Sequence, residues 1–265
     1  MSNTMNIKFT KCKWEDVRPL VQSYFKENRI NTDTYSEGFL IYNNHYLMTC
    51  GDETAGYFAI NRKNTISLFH VFPYYANRAQ ELFARVKKYE YVTGAMVLTG
   101  DEFFLSHCLD NFVRIEKEQY NCIFTDKDMP NKRNITLRKA DYTNEDDKEK
   151  LRLDVGFGLS GAITAFEEGR RHMHLYIAED NGEYVGYGLI DYSVVFDDRA
   201  SIGMYVLEDK REQGYGSSIL HGMREIVREM GYEVDAACGP DNHNSKKSLE
   251  RSGAYFPSRL VKFYF

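Results

Sequence analysis

Two stretches of this chain are echoed about 130 residues further on, and self-similarity at a fixed spacing points to one domain type used twice. Asn6-Ile7-Lys8-Phe9-Thr10-Lys11 is echoed by Asn134-Ile135-Thr136-Leu137-Arg138-Lys139, and Ala55-Gly56-Tyr57-Phe58-Ala59-Ile60 by Val185-Gly186-Tyr187-Gly188-Leu189-Ile190. Chance likeness of short strands is the alternative. Between the halves, Asp126-Lys127-Asp128-Met129-Pro130-Asn131-Lys132-Arg133 is polar and contains a proline, as a linker does. The expected domains are residues 1–128 and 134–265, each of ordinary domain size.

Composition excludes several classes. Hydrophobic residues at 43%, with 20 Tyr and 17 Phe, supply real cores and argue against disorder. A net charge of −5 without a basic block gives a nucleic-acid partner no electrostatic support. An acidic balance suits cationic or amine partners, and a solvated surface explains it equally well. No run approaches the roughly 20 apolar residues of a membrane span, and no apolar leader follows Met1. Cys12, Cys50, Cys108, Cys122 and Cys238 are odd in number and lack C-x-x-C spacing, which fits reduced core cysteines in a cytoplasmic protein.

In the second half the pattern predicts strands over residues 135–138, 175–178, 184–195, 201–207, 232–237 and 260–265. It predicts helices over 144–153, 217–230 and 245–252. Asp180-Asn181-Gly182 reads as a hairpin turn, and Gly231 as a left-handed helix stop. Hairpins early and crossovers late mean α/β architecture: a mixed, mostly antiparallel central sheet flanked by helices.

Chemistry is carried by Arg211-Glu212-Gln213-Gly214-Tyr215-Gly216, placed between the strand ending Met204-Tyr205-Val206 and a helix. The first N–H groups of a helix lack intrahelical acceptors, and the helix dipole favours an anion there. Gly214 and Gly216 remove Cβ atoms that would hold a pyrophosphate off, and Arg211 adds a cation. A plain Gly-x-Gly turn is the alternative. The P-loop is excluded because Ser217-Ser218 follow without a lysine, and the dinucleotide fingerprint because Ile219 stands where a small residue belongs.

With Val206 and Arg211 five residues apart, the segment resembles the cofactor motif of the GNAT superfamily of acetyl-CoA-dependent N-acetyltransferases. Asn242, Ser245, Leu249, Gly253 and Ala254 are similar to its second motif. The resemblance covers the whole second half. It implies that Met204, Tyr205 and Val206 offer backbone groups to the pantetheine arm. Arg211, Glu212, Gln213, Gly214, Tyr215, Gly216 and Ser217 would hold the pyrophosphate, with Asn242 and Ser245 near the thiol. The donor implied is acetyl-CoA, with no metal; the acceptor is a small-molecule or peptide amine.

The family's catalytic positions are vacant. Ala200 and Ala237 stand where the family places a Glu, and Leu249 where it places a Tyr. Asp235 shares strand parity with Ala237 and is the candidate base, against a partly exposed structural aspartate. Tyr255 is the candidate acid, against a packed strand tyrosine, and Cys238 lacks a triad-like setting. Acceptor recognition is expected in Gly156–Arg171. In the first half Ala76, Ala79 and Glu81 replace the motif's Arg and glycines before a helix expected over residues 74–90. His70 and His107 read as ordinary packed or surface histidines. This half is expected to be a GNAT-like domain without cofactor that shapes the acceptor cleft or a homodimer.

Overall fold

The structure, a computed structural model, describes residues 6–110, 112–126, 133–141, 143–152 and 173–265. In chain order the first elements are β1 (Ile7–Cys12), α1 (Trp14–Glu27), α2 (Thr34–Ile41), β2 (Asn44–Cys50), β3 (Glu53–Ile60), β4 (Thr65–Val71), α3 (Ala79–Lys87), β5 (Gly94–Leu98), α4 (Glu102–Leu109) and β6 (Arg114–Phe124). There follow β7 (Thr136–Lys139), α5 (Glu145–Arg152), β8 (Met173–Asp180), β9 (Glu183–Tyr192), β10 (Arg199–Val206), α6 (Tyr215–Glu229), β11 (Glu233–Cys238), α7 (His243–Arg251) and β12 (Ala254–Tyr264). The acceptor segment expected at Gly156–Arg171 lies outside the described residues.

The chain forms two compact units, Met1–Tyr120 with Ser258–Phe265, and Asn121–Pro257. In the first, β1 to β4 are antiparallel neighbours, β4 runs parallel to β5, and β5 is antiparallel to β12. The second repeats the pattern: β7 to β10 are antiparallel, and β10 runs parallel to β11.

The echo read in the sequence has a steric cause. A Cβ at Gly56 would lie 2.1 Å from the His70 carbonyl oxygen, and one at Gly186 would lie 2.1 Å from that of Tyr205. In each unit the neighbouring strand passes too close for any side chain, so both strands carry glycine. The register also slips at matching places, between Met48 and Thr49 and between Ala178 and Glu179.

Local chemistry explains the elements that flank the site. Asn181 and Gly182 both have positive φ, 51° and 82°, as the tight β8–β9 hairpin requires. On α6, Ile219, Leu220, Met223 and Val227 are buried at helical spacing. Gly188 of β9 makes room for them, since a Cβ there would lie 2.4 Å from Met223 Sδ. Gly231 ends the helix with φ of 84°.

Three expectations are corrected. Residues 74–90 are not one helix: a 3-10 turn over Pro73–Arg78 precedes α3, and Glu90 adopts φ of 48° just beyond it. The strand expected over 184–195 ends at Tyr192, where the turn to β10 begins. The closing strand starts earlier, at Ala254, and its residues Ser258–Tyr264 belong to the first unit, paired with β5 from Leu260↔Leu98 to Tyr264↔Gly94. The compact units thus divide the chain at Tyr120/Asn121 and Pro257/Ser258.

Candidate functional site

In the second unit β10 and β11 pair only at Arg199↔Glu233, Ala200↔Val234 and Ser201↔Asp235, although β10 continues to Val206 and β11 to Cys238. On its other side β10 stays paired with β9 as far as Val206↔Gly186. Beyond Ser201, one edge of β10 is released from the ladder with β11. Past that point the strand is not laddered to β11, and an extended ligand arm can pair with such an edge. Met204 and Tyr205 are half-buried along this edge, and Val206 is buried.

The loop after β10 makes two left-handed residues, Glu212 with φ of 61° and Gly214 with φ of 93°. Gly214 is the N-cap of α6, and no side chain caps that end. The first intrahelical bond is Ser218 N to Gly214 O at 3.2 Å, so the N–H groups of Tyr215, Gly216 and Ser217 precede the helical ladder. No acidic residue occupies the first turn, so the field of the helix end is not neutralised from within the helix. Arg211 is exposed beside it, its Nε 3.3 Å from Val206 O. Gln213 bonds back to the Asp209 carbonyl at 2.9 Å, and Ser217 Oγ donates to Gly214 O at 3.0 Å.

The two glycines differ in purpose. Gly214 is demanded by its backbone conformation. Gly216 is demanded by packing, because a Cβ there would press on Ser248 Oγ at 3.1 Å and Met204 Cε at 3.2 Å. Tyr215 turns inward: its hydroxyl donates to Asp180 Oδ2 at 2.9 Å, a bond that raises its pKa. It therefore offers a ligand only its backbone N–H.

Asn242 is the N-cap of α7, its Oδ1 accepting Ser245 N–H at 3.1 Å. Its side-chain NH2 retains donor capacity. Ala200 and Leu249 are buried and Ala237 is half-buried, and none of these three positions carries a polar side chain. Asp235 is only 4% exposed and accepts a hydrogen bond from Ser201 Oγ, at the register pair where β10 and β11 part. It is not the partly exposed residue that was the alternative expectation. Tyr255 is 49% exposed at the start of β12, and Cys238 is buried.

Two participants escaped the sequence reading. Ser201 carries no motif signature; only the register brings it to Asp235. Arg133, assigned to the linker, has its Nε 3.1 Å from Gln213 O and its guanidinium 4.9 Å from the centre of the Tyr215 ring.

The first unit repeats the strand release, since β4 and β5 pair only at Thr65↔Gly94 and Ile66↔Ala95. Its helix start carries a carboxylate of its own. Glu81, in the first turn of α3, is bonded by Arg78 at 2.7 Å and Arg85 at 3.1 Å; the Arg78 bond leads in lowering its pKa. Phe39 and Leu40 of α2, Ser67 and Leu68 of β4 and Met96 and Leu98 of β5 line a cavity of only about 10 Å³. His70 is pushed down to about 4 by burial among aromatic rings, and His107 Nδ1 lies 2.7 Å from the Phe103 carbonyl. Among the described residues no group of three or more His, Cys, Asp or Glu is placed to hold a metal. No helix among them is long and apolar enough to cross a membrane.

A mixed sheet that splays beside an uncapped helix start, built twice in one chain, defines a tandem acyltransferase-type fold. The chain belongs to the GNAT acetyltransferases as two domains in tandem: residues 13–127 match "Acetyltransferase (GNAT) domain" and residues 131–254 match "Acetyltransferase (GNAT) family". A GNAT-family acetyltransferase from Colwellia psychrerythraea is similar at TM-score 0.82 and 20% identity, covering 97% of this chain and 99% of that one. A GCN5-related N-acetyltransferase from Sphaerobacter thermophilus follows at 0.62 and 16%, covering 97% and 94%. A tandem GNAT protein from the clavulanic acid biosynthesis pathway gives 0.61 and 14%, covering 97% and 98%. At such identities the likeness is one of fold. No curated protein sequence gives a significant match.

Proposed function

We propose that the second unit is an N-acetyltransferase that moves an acetyl group from acetyl-CoA to a primary amine of a small molecule or peptide. The observation that carries this reading is the released β10 edge followed, across one short loop, by the uncapped start of α6. The pantetheine arm pairs with the backbone of Met204–Val206. The diphosphate lies on the N–H groups of residues 214–217 beside Arg211, and the Asn242 amide and Ser245 border the thiol end. Five free cysteines favour a reducing, cytoplasmic setting.

In the reaction the neutral amine nitrogen attacks the thioester carbonyl carbon, a C–N bond forms and the C–S bond breaks. The nitrogen gives up a proton and the departing thiolate takes one. Asp235, oriented by Ser201 at the vertex of the splay, is the proton acceptor, directly or through water. The half-exposed Tyr255 hydroxyl is the donor.

A second reading, a CoA-binding sensor without catalysis, is favoured by the alanines at 200 and 237 and the buried Leu249. A thiol-release screen of acetyl-CoA against an amine library separates them. Turnover with at least one amine is expected, and Asp235→Asn should lower kcat by about 10²–10⁴-fold at little cost in acetyl-CoA affinity. Tight binding without release for any amine supports the sensor. A near-normal kcat in a folded Asp235→Asn variant removes Asp235 from the mechanism.

A further inference from the structure

We infer that Arg133 is a positioning residue for the diphosphate-binding loop, a role that rests on the reading of the second unit as an acetyl-CoA site. It makes four contacts on one side of the loop. Its Nε donates to Gln213 O at 3.1 Å, and its guanidinium lies over the Tyr215 ring at 4.9 Å. Its NH1 is 3.9 Å from Asp180 Oδ2, and its backbone N–H donates to Ser218 Oγ at 3.1 Å. Asp180 also accepts the Tyr215 hydroxyl at 2.9 Å, so Arg133, Tyr215 and Asp180 form a closed triangle that ties the loop to the end of β8.

The physical consequence follows from the peptide bond. A trans peptide is planar, with C=O and N–H pointing in opposite directions. Arg133 holds the Gln213 carbonyl, so it sets the direction of the Gly214 N–H on the far side of the same peptide. That donor belongs to the cradle at the start of α6. The flanking residues, Glu212 and Gly214, both have left-handed φ, and a non-glycine residue in that region is costly without outside support. The Gln213 side chain braces the segment through Asp209 O, and Arg133 braces it from the Gln213 carbonyl.

Geometry rather than charge is the useful property. The Arg133 charge meets Asp180 only at 3.9 Å at the surface, where an ion pair is worth little, whereas its planar fork can bond the carbonyl and stack on the ring together. A lysine keeps the charge and loses that combination. The side chain is 40% exposed, so its removal leaves the core of the unit intact.

The test compares two donors on the full chain. Acetyl-CoA carries the diphosphate; S-acetylpantetheine carries the same thioester and arm without it. Arg133→Ala should raise Kd for acetyl-CoA about tenfold, the worth of one charge-assisted hydrogen bond, and leave S-acetylpantetheine unchanged. The same ratio should appear in KM with kcat preserved, and Arg133→Lys should not restore it. An equal loss for both donors, an unchanged acetyl-CoA affinity or full rescue by lysine would overturn the positioning role. If the wild-type protein itself fails to bind acetyl-CoA, the parent reading of the site falls instead.

Discussion

Asp101 shows how one buried side chain ties stability to pH. It caps α4, its Oδ1 accepting Phe104 N–H at 3.0 Å and the Tyr24 hydroxyl at 2.7 Å. Burial outweighs those bonds and pushes its pKa up to about 6. The folded protein thus binds more protons than the unfolded chain between the ordinary carboxylate value and about 6. The stability contributed is complete below the unfolded pKa and is lost as pH rises through about 6. His70 works the other way: its folded pKa falls to about 4, so its contribution is present above the unfolded value near 6.5 and is lost as pH falls. Asp101→Asn keeps an oxygen that can accept both hydrogen bonds and removes the titration. Its Tm relative to wild type should rise across pH 4 to about 6.5, a difference in which the His70 effect cancels. Parallel Tm profiles for the two proteins would show that Asp101 is not linked to folding.

At the scale of elements, the same strand–loop–helix unit occurs twice with opposite fates. After β10 and after β4 alike a 3-10 turn leads to a helix without a side-chain cap, but only the helix after β4 has an acidic residue in its first turn, Glu81, held between two arginines. Calorimetry with acetyl-CoA should therefore give one site per chain. Gly214→Glu should abolish it, because the new residue both resists φ of 93° and puts a carboxylate at the anion position. Two sites per chain, or undiminished binding by a folded variant, would contradict the assignment. This unit was legible in the sequence because its glycines, its arginine and the helical spacing of Ile219, Met223 and Val227 are all local features. Arg133 and Ser201 were not, since each acts on residues distant along the chain, Arg133 on Gln213 and Ser201 on Asp235.

On the scale of the molecule, the first unit is completed by the far end of the chain. Val261 and Phe263 of β12 join the core that contains Phe69, Phe83 and Phe104, and Phe263 is only 1% exposed. Val113 N–H adds a bond to Tyr264 O at 2.8 Å. Phe263→Ala should cost about 3–5 kcal/mol, the usual range for a buried phenylalanine. A chain ending at Pro257 should lose the cooperative unfolding transition of the first unit, followed by denaturant titration with near-ultraviolet dichroism. A truncated chain with an unchanged midpoint would mean that β12 is dispensable.

Besides the echo that marks two copies of one α/β domain, the sequence by itself determined what short-range physics can write: the order of strands and helices in the second half, the hairpin at Asn181-Gly182 and the glycine-bearing turn at 211–216 that opens a helix. Each of these depends on residues a few positions apart, through helical or strand periodicity or a backbone angle only glycine tolerates readily. Only the tertiary structure decided that residues 258–264 pair with β5, that Asp235 meets Ser201 where two strands separate, and that Arg133 grips the Gln213 carbonyl. Every strand offers the same N–H and C=O groups to any neighbour, so its partner is chosen by the packing of whole elements and leaves no local mark in the chain.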